Sequence, residues 1–241
     1  MTSLCIVQAN FLKSNKHAQH DLNVLVATRA HVIGLNEMRP FAGLLLKGVP
    51  GYQVIMPPAG FLRNNPVLLR NDVKLLGTEF HKMCKGVGKS PDRGATVVKF
   101  EFAGDKRAHI ETHANAHIEN AGKPRRLPRV GQDIKHVLKL ARLIRRLQGQ
   151  GYRTTVAGDF NWAWTRKAVQ WVWSPKRLFA RHHLKTQWDD RRAPKRGSLG
   201  GRRIDYIAYH PQDLVIKSQR YVAGEHSDHA WPEVTFLVLE K

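Results

Sequence analysis

The chain has 241 residues, 42% of them hydrophobic, which is enough to bury a full core. Lys and Arg number 40 against 19 Asp and Glu, and the formal net charge of +21 favours a polyanionic partner such as nucleic acid over a small neutral metabolite. No run of about 20 apolar residues could span a bilayer. Two cysteines indicate no disulfide framework and no signal-like core precedes the first strand, so we expect a cytoplasmic protein. We also expect a monomer.

The first third of the chain alternates predicted strands with a helix. Residues 3–10 are mostly apolar, as expected of a strand that is covered on both faces. Residues 16–29 carry apolar side chains at helical spacing. Asn10 and Glu37 each follow an apolar run, at the ends of the first two strands. Further strands are predicted at residues 31–36, 51–56 and 67–69.

The middle of the chain predicts a basic loop, a β-hairpin and a long helix. Residues 82–93 are rich in glycine and lysine, and they fit either a mobile contact to a phosphate backbone or a merely solvated loop. Residues 93–102 and 106–113 form the predicted hairpin, which ends at His113. Residues 127–147 carry one apolar stripe, and we expect the cations around it to form a solvated outer face.

Residues 156–162 are the stretch with the strongest chemical signal. An apolar run predicts a short buried strand that Gly158 breaks, and Asp159 and Asn161 follow with a spacing that places both on one face of an extended backbone. Asp159 can hold a hard cation or activate a water, and Asn161 offers an amide to a phosphate oxygen. A strand followed by an Asx-type turn is the structural alternative.

An insert around residues 162–203 combines aromatic with basic side chains. It holds five of the six tryptophans, and aromatic rings interleaved with cations fit the stacking of bases above a charged groove. The alternative is that most of these tryptophans, Trp171 and Trp173 above all, pack a short helix against the core. The predicted nucleic-acid contacts in this insert are Trp162, Trp164, Arg191, Arg192, Lys195 and Arg196.

The last part of the chain adds three predicted strands and more polar groups at their ends. The strands are at residues 202–209, 214–218 and 233–239, and Asp205, Asp228 and His229 lie in or between them. Polar side chains repeatedly placed at strand ends are how an α/β scaffold assembles a site from distant segments.

This ordered set of motifs resembles the endonuclease/exonuclease/phosphatase superfamily, which includes pancreatic-type deoxyribonuclease and the abasic-site endonucleases. The matching segments run from residue 10 to residue 229, and they are Ala9-Asn10, Asn36-Glu37, Thr112-His113, Gly158-Asp159-Phe160-Asn161, Arg203-Ile204-Asp205-Tyr206 and Ser227-Asp228-His229. The resemblance implies a four-layered α/β sandwich, in which two packed, mostly antiparallel β-sheets are flanked by helices. It also implies that residues 1–241 form one catalytic domain.

The resemblance and the chemistry of the side chains together suggest a role for each residue. Mg²⁺, with Mn²⁺ as a possible substitute, suits carboxylate and amide ligands, so Glu37 is the predicted direct ligand, with Asn10 beside it and Asp228 nearby. By the resemblance, Asp159 orients or deprotonates the attacking water and Asn161 holds the scissile phosphate.

The histidines and one arginine complete the implied machinery. His229 would be a general base or a charged phosphate clamp, with Asp205 fixing its tautomer, and His113 would donate to a phosphate oxygen. Arg93 matches a phosphate-contacting arginine of the family. In the deoxyribonuclease branch a glutamate follows that arginine and steadies the histidine, whereas Gly94 stands here, so the partner of His113 is left open.

The sequence therefore predicts a metal-dependent phosphodiesterase. The net charge and the insert of tryptophans and basic residues favour a nucleic-acid substrate, for which we expect DNA more than RNA, although the sequence itself does not distinguish the two. Two alternatives stay open. One is a phosphatase or phosphodiesterase of the same superfamily that acts on a phospholipid or a small phosphate ester. The other is an inactive nucleic-acid-binding protein on the same scaffold.

Overall fold

The computed structural model describes residues 2–12, 14–58, 64–88, 90–116, 119–120, 123–124, 127–164, 174–191, 193–194, 197–222 and 226–239. Among the residues named above, Trp171, Trp173, Arg192, Lys195 and Arg196 lie outside these ranges. The helices are α1 (Ala18–Ala27), α2 (Ala42–Leu46), α3 (Leu127–Gly149) and α4 (Pro175–Arg181). The strands are β1 (Ser3–Asn10), β2 (Val32–Asn36), β3 (Tyr52–Ile55), β4 (Val67–Arg70), β5 (Lys74–Cys84), β6 (Arg93–Phe102), β7 (Asp105–His113), β8 (Glu119–Asn120), β9 (Lys123–Pro124), β10 (Arg153–Asp159), β11 (Lys185–Thr186), β12 (Asp205–Tyr209), β13 (Leu214–Val222) and β14 (Trp231–Val238).

Within the described ranges, the strands form two six-stranded sheets and a short β8–β9 ladder. The first sheet has the order β13-β14-β1-β2-β4-β3, and the second has the order β11-β12-β10-β7-β6-β5. The pairs β1–β2 and β7–β10 are parallel, while the other pairs in the two sheets are antiparallel. The predicted mostly antiparallel arrangement is confirmed.

Apolar side chains on both faces of each sheet produce four layers. One face of the first sheet packs against α1 through residues such as Val7, Ile33 and Leu25. Its other face meets the second sheet in a core that includes Ile6 and Val98. The outer face of the second sheet is covered by α3 and α4, whose buried members include Val137, Leu140, Leu143, Ile144, Leu147, Leu178 and Phe179. The predicted four-layered sandwich is therefore confirmed.

The predicted long helix forms as α3 and continues to Gly149. Its apolar face differs in part from the predicted stripe, because Leu138 is 36% exposed while Leu140 and Leu143 are buried. Its cations Lys135, Lys139 and Arg142 are exposed, as an amphipathic helix on a core requires. None of the helices within the described part of the chain combines the length and the apolar character needed to cross a membrane.

Two strand predictions are corrected by the structure. The segment that starts the predicted basic loop at residue 82 is the end of β5, an edge strand with mostly exposed or half-buried residues and two irregularities in its register. A strand of that kind lacks both an apolar run and a clean alternation, so its pattern did not predict it. The second correction concerns β10, which does not break at Gly158 but pairs with β7 and β12 through Asp159.

Gly158 allows β10 to continue because no side chain fits at that position. Its φ of +146° is rare for residues with a side chain, and a Cβ built there would lie 1.8 Å from the backbone oxygen of Thr112 on β7. The glycine therefore permits the close approach that places Asp159 beside His113 in the parallel register.

We expect Gly158→Ala to lower the free energy of unfolding by at least about 2 kcal/mol, because the Cβ would clash with backbone and the φ would be strained. Urea denaturation measures the change. The matched control is Gly149→Ala at the end of α3, where no described atom lies within 4 Å of the new Cβ. An equal, small effect of the two substitutions would mean that β7 and β10 do not approach as described.

Candidate active site

Five strand ends from the two sheets meet at one edge of the sandwich. Asn10 and Asn36 are register partners at the ends of β1 and β2. On the other sheet, Asp159 pairs with His113 on one side and with Asp205 on the other. The amide Nδ2 of Asn10 donates to Oδ2 of Asp159 at 3.1 Å, so the two sheets are joined at the position where the predicted residues converge.

Asp159 is buried and its carboxylate is held from several directions. Its Oδ1 accepts the backbone N–H of Asn161 at 2.7 Å, which is the Asx-type turn that the sequence offered as an alternative. Its Oδ2 lies 3.6 Å from Nε2 of His113. Burial and the neighbouring charge of Asp205 raise the pKa of Asp159 to about 7, so this carboxylate is poised to take up a proton near neutral pH.

Asp205 and His229 form a tight buried pair. Nδ1 of His229 lies 2.8 Å from Oδ2 of Asp205. The backbone N–H of Asp205 donates to Oγ of Ser198, which fixes the start of β12. Burial disfavours the imidazolium, but the charge of Asp205 and the hydrogen bond to it outweigh burial and raise the pKa of His229 to about 10. The arrangement therefore favours a positively charged imidazole whose Nε2 is left for other partners.

The tautomer of His113 follows from its neighbours. Arg93 NH1 and Asn64 Nδ2 lie 3.4 Å and 3.3 Å from Nδ1 of His113, and because a guanidinium can only donate, Nδ1 is the acceptor. The ring proton is then on Nε2, which faces Asp159. Burial and the charge of Arg93 lower the pKa of His113 well below its ordinary value, so the ring is neutral. Among the described residues, no carboxylate contacts Nδ1, which instead lies beside an arginine and an amide.

Arg93 is itself buried beneath this edge. Its Nε donates to Oδ1 of Asn115 at 3.1 Å, and Asn115 Nδ2 in turn contacts Sγ of Cys84. The charges of Asp159 and Glu37 act on the guanidinium. A phosphate contact by Arg93 stays a prediction, and the structure shows an arginine that is oriented toward the acidic edge.

Glu37 and Asp228 are close to the cluster without being part of its core. Glu37 is half-buried, has a φ of +61° at the end of β2, and acts electrostatically on Asp159. Asp228 is half-exposed, and its Oδ1 lies 3.9 Å from Nε2 of His229. Asn161 also has a positive φ, +53°, which an asparagine tolerates.

The carboxylates at this edge fit a divalent cation. One ligand atom each from Asp159, Asp205 and His229 lies within 4.8 Å of the others. Oδ1 of Asp205 is buried and has no hydrogen-bond partner within the described part of the chain. A buried carboxylate oxygen without a donor is the kind of group that a hard cation satisfies.

The structure corrects one part of the predicted nucleic-acid surface. Trp162 and Trp164 are 2% and 9% exposed, and Trp164 packs edge-on against Tyr206 at 5.1 Å between ring centroids. The Tyr206 hydroxyl donates to the backbone oxygen of Trp162. Both rings are packed into the protein, so they present no free face on which a base could stack. Arg191 is exposed.

A buried polar layer beneath the site was missed from the sequence. Asn36 accepts the backbone N–H of Asp159 through Oδ1 at 2.8 Å and donates through Nδ2 to Oε1 of Glu111 at 2.8 Å. Glu111 Oε2 lies 3.3 Å from Nε2 of His109, whose Nδ1 contacts Thr155. A signal was present, because His109, Glu111 and His113 alternate on β7 and therefore face the same side of the sheet.

Glu111 and His109 are fully buried neutral partners rather than an ion pair. Burial raises the pKa of Glu111 well above its ordinary value and lowers the pKa of His109 to about 3. The Glu111 carboxyl occupies the space above Gly34 on β2, where a Cβ would lie 1.7 Å from Oε2. The glycine therefore makes room for the acid between the sheets.

Known proteins share this architecture. A model of the Endonuclease/Exonuclease/phosphatase family matches residues 7–229. The fold is similar to that of an endonuclease/exonuclease/phosphatase family protein from Bacteroides thetaiotaomicron, with a TM-score of 0.74, 15% identity and 99% of each chain covered. It is similar to D. rerio TDP2 complexed with single strand DNA product, with a TM-score of 0.71, 15% identity, and 99% of this chain and 100% of that chain covered.

A third similar structure is the human Nocturnin catalytic domain with bound sulfate anion, with a TM-score of 0.68, 16% identity, and 98% of this chain and 94% of that chain covered. No curated protein matches the chain. At these identities the solved structures support the fold, while the family match spans all the residues described at this edge.

We expect Asn36→Leu to lower the free energy of unfolding by about 2–4 kcal/mol, because it leaves the Asp159 N–H and the Glu111 carboxyl without their partner. The same substitution at exposed Asn23 on α1 is the control, and it should change stability by less than about 0.5 kcal/mol. Chemical denaturation compares the two. Equal effects at both positions would show that Asn36 does not hold the site together.

Proposed function

The chain belongs to the Endonuclease/Exonuclease/phosphatase family, and we propose that it is a Mg²⁺-dependent nuclease that hydrolyses phosphodiester bonds of DNA. The observation that carries the proposal is the convergence of Asn10, His113, Asp159, Asp205 and His229 at one buried edge. A protein that only bound nucleic acid would have no use for carboxylates and imidazoles desolvated together.

The residues present fit a hard divalent cation, and Mg²⁺ is the ion that we propose, with Mn²⁺ as a substitute. Glu37, Asn10 and Asp228 are the proposed ligands. Oδ1 of Asp205, which has no hydrogen-bond partner among the described residues, gives the cluster a further oxygen. When bound, such an ion supplies charge relief to the phosphate and a lowered pKa to water. The other functions come from the chain itself.

The two raised pKa values assign different roles to Asp159 and His229. Asp159, with a pKa of about 7, is suited to orient the attacking water and accept its proton. His229, with a pKa of about 10, is charged near neutral pH and is suited to clamp a phosphate oxygen rather than to act as a base. Environments that push two titratable groups to different tasks are typical of active sites.

Two further groups would hold the phosphate without taking a proton. Neutral His113 carries its proton on Nε2 and can donate it in a hydrogen bond to a phosphate oxygen. The side chain of Asn161 follows Asp159 in the same turn, and among the described residues its Nδ2 makes one contact, a long one of 3.4 Å to the backbone oxygen of Ala114. That amide is available to bind the scissile group.

Charge supports a nucleic-acid substrate. The chain has a formal net charge of +21, and exposed Arg191 lies in the basic segment that precedes β12 and its Asp205. The similar D. rerio TDP2 structure holds a single strand DNA product, which favours DNA here. A phospholipid or small phosphate ester is the competing substrate class, and a substrate panel distinguishes it.

We also propose that residues 1–241 act as one catalytic domain and as a monomer in the cytoplasm. The family match from residue 7 to residue 229 supports a single unit. Cys5 and Cys84 are both free thiols, which suits a reducing compartment.

Supercoiled plasmid incubated with the protein and Mg²⁺ should be nicked or linearised, and EDTA should abolish the reaction. His229→Ala and Asp159→Asn should each lower the rate by at least about 10²–10⁴-fold while DNA binding stays near normal, because they remove the clamp and the base. His183→Asn is the control, since His183 is exposed and lies in the turn after α4. Retained cleavage in either site variant would remove the assigned role, and cleavage of a phospholipid but no nucleic acid would favour the competing substrate.

Neutralising the basic segment before β12 should flatten the salt dependence of DNA binding by about 0.9 in the slope of log K against log salt for each lost phosphate contact. The measurement is a fluorescence titration at several salt concentrations. The variant changes four cations to glutamine, at Arg191, Arg192, Lys195 and Arg196.

The control neutralises the same number of exposed cations on the outer face of α3, at Lys135, Lys139, Arg142 and Arg145. We expect that control to change the slope much less. A larger change in the slope from the α3 variant would show that the DNA-binding surface lies on that helix.

A further inference from the structure

A second cluster of side chains that could hold a metal shares no residue with the strand-end site. His20 and Asp21 are neighbours near the start of α1, and His226 lies in the segment that leads to Ser227-Asp228-His229. One ligand atom from each of His20, Asp21 and His226 lies within 4.8 Å of the others. Nothing in the proposed hydrolysis uses these three side chains.

The separation between Asp21 and His226 matches that of two ligands around one ion. Nδ1 of His226 lies 3.3 Å from Oδ1 of Asp21. A tetrahedral ion with metal–ligand bonds of about 2.0–2.1 Å places its ligand atoms roughly 3.3–3.4 Å apart. The Asp21 and His226 atoms are therefore already separated as two ligands of one tetrahedral ion would be.

The carboxylate of Asp21 is oriented as a metal ligand would be. It is fully buried, and its Oδ2 accepts Nδ2 of Asn15 at 2.7 Å, which leaves Oδ1 directed at His226. A hydrogen bond to the second oxygen of a carboxylate is the usual device that fixes a metal ligand. His20 is exposed, so an ion can reach the cluster from solvent.

Aromatic contacts hold the imidazole of His226 in place. The rings of His17 and His226 stack with centroids 4.0 Å apart, and the His20 ring meets His226 edge-on at 5.5 Å. The backbone N–H of His17 donates to Oδ1 of Asn15, so Asn15 ties the turn before α1 to the same cluster. Three histidines and one aspartate are thus gathered within two short segments of the chain.

We propose that His20, Asp21 and His226 bind one transition-metal ion of the Zn²⁺ class, with water as the remaining ligand. Two imidazoles and a carboxylate suit Zn²⁺, Co²⁺ or Ni²⁺, whereas Mg²⁺ prefers a set of oxygen ligands. This site is separate from the proposed Mg²⁺ site, and it does not rest on the proposed nuclease activity.

The ion would fasten the segment that carries His229 to α1. The Ser227 hydroxyl donates to the backbone oxygen of Asn10 at 2.7 Å, and the His229 N–H donates to Oγ of Ser227 at 3.1 Å. Ser227 already anchors this segment to the end of β1, and a metal bound at His226 would add a second anchor one residue before Ser227. The site is a positioning device for the loop of His229.

Co²⁺ is the probe that tests the proposal, because tetrahedral Co²⁺ absorbs in the visible range. The full chain, freed of metal and then saturated with Mg²⁺, is titrated with Co²⁺ while absorbance and equilibrium dialysis report binding. We expect the wild type to bind one Co²⁺, and His20→Ala and His226→Gln each to weaken that binding by at least about 10–100-fold.

Two control variants separate this site from the nuclease site. Asp159→Asn and His183→Asn should bind Co²⁺ like the wild type, even though Asp159→Asn abolishes the proposed cleavage. Loss of Co²⁺ binding in Asp159→Asn, or unchanged binding in His20→Ala and His226→Gln, would overturn the proposal. His20→Ala keeps the test independent of folding defects, since it places a strong helix former at an exposed helical position.

Hydrogen exchange provides the second readout. Zn²⁺ should slow amide exchange at residues 226–229 in the wild type and in Asp159→Asn, and it should not do so in His20→Ala. Equal exchange rates with and without Zn²⁺ in the wild type would overturn the anchoring role.

Discussion

The site depends on one constraint, which is that two β-sheets must meet closely enough for polar side chains of one sheet to bond the other. Two asparagines at the end of the first sheet bond Asp159 on the second sheet. Asn10 donates to the Asp159 carboxylate, and Asn36 accepts the Asp159 backbone N–H. In a sandwich the interior between sheets is normally apolar, and here it is apolar away from this edge. The candidate active site lies at the edge where the apolar core ends and the amides of Asn10 and Asn36 begin.

Burial is what separates the tasks of the charged groups at this edge. Burial raises the pKa of Asp159 and lowers the pKa of His113 and of His109, because each group is less stable in its charged form away from water. His229 behaves in the opposite way because Asp205 lies against its ring. Similar side chains thus receive different protonation states from their neighbours alone.

Much of the site was predictable because the motifs end strands, and strand ends converge in this kind of sandwich. The order of Asn10, His113, Asp159, Asp205 and His229 was sufficient to place them together. The layer under them was not, because the alternation of His109, Glu111 and His113 on β7 indicates a shared face but does not show that this face is buried. Its environment is created by the opposite sheet, which a local pattern does not report.

The same limit explains the two clearest errors. Trp162 and Trp164 are aromatic residues in a basic segment, and only their packing around Tyr206 shows that their rings are covered. Edge strand β5 has an exposed side, so its residues lack the apolar run that predicted the central strands. In both cases the missing information was which side of the segment meets the rest of the protein.

The close approach of Gly34 and Glu111 links two positions that are 77 residues apart in the sequence and lie on facing sheets.

 The Glu111 side chain on β7 fills the space that a side chain at Gly34 on β2 would need, so neither residue can change size alone. In proteins built on this same arrangement, a larger residue at position 34 should be accompanied by a smaller one at position 111. Homologous sequences would then record the fit between the sheets as a correlated pair of substitutions, visible without any coordinates.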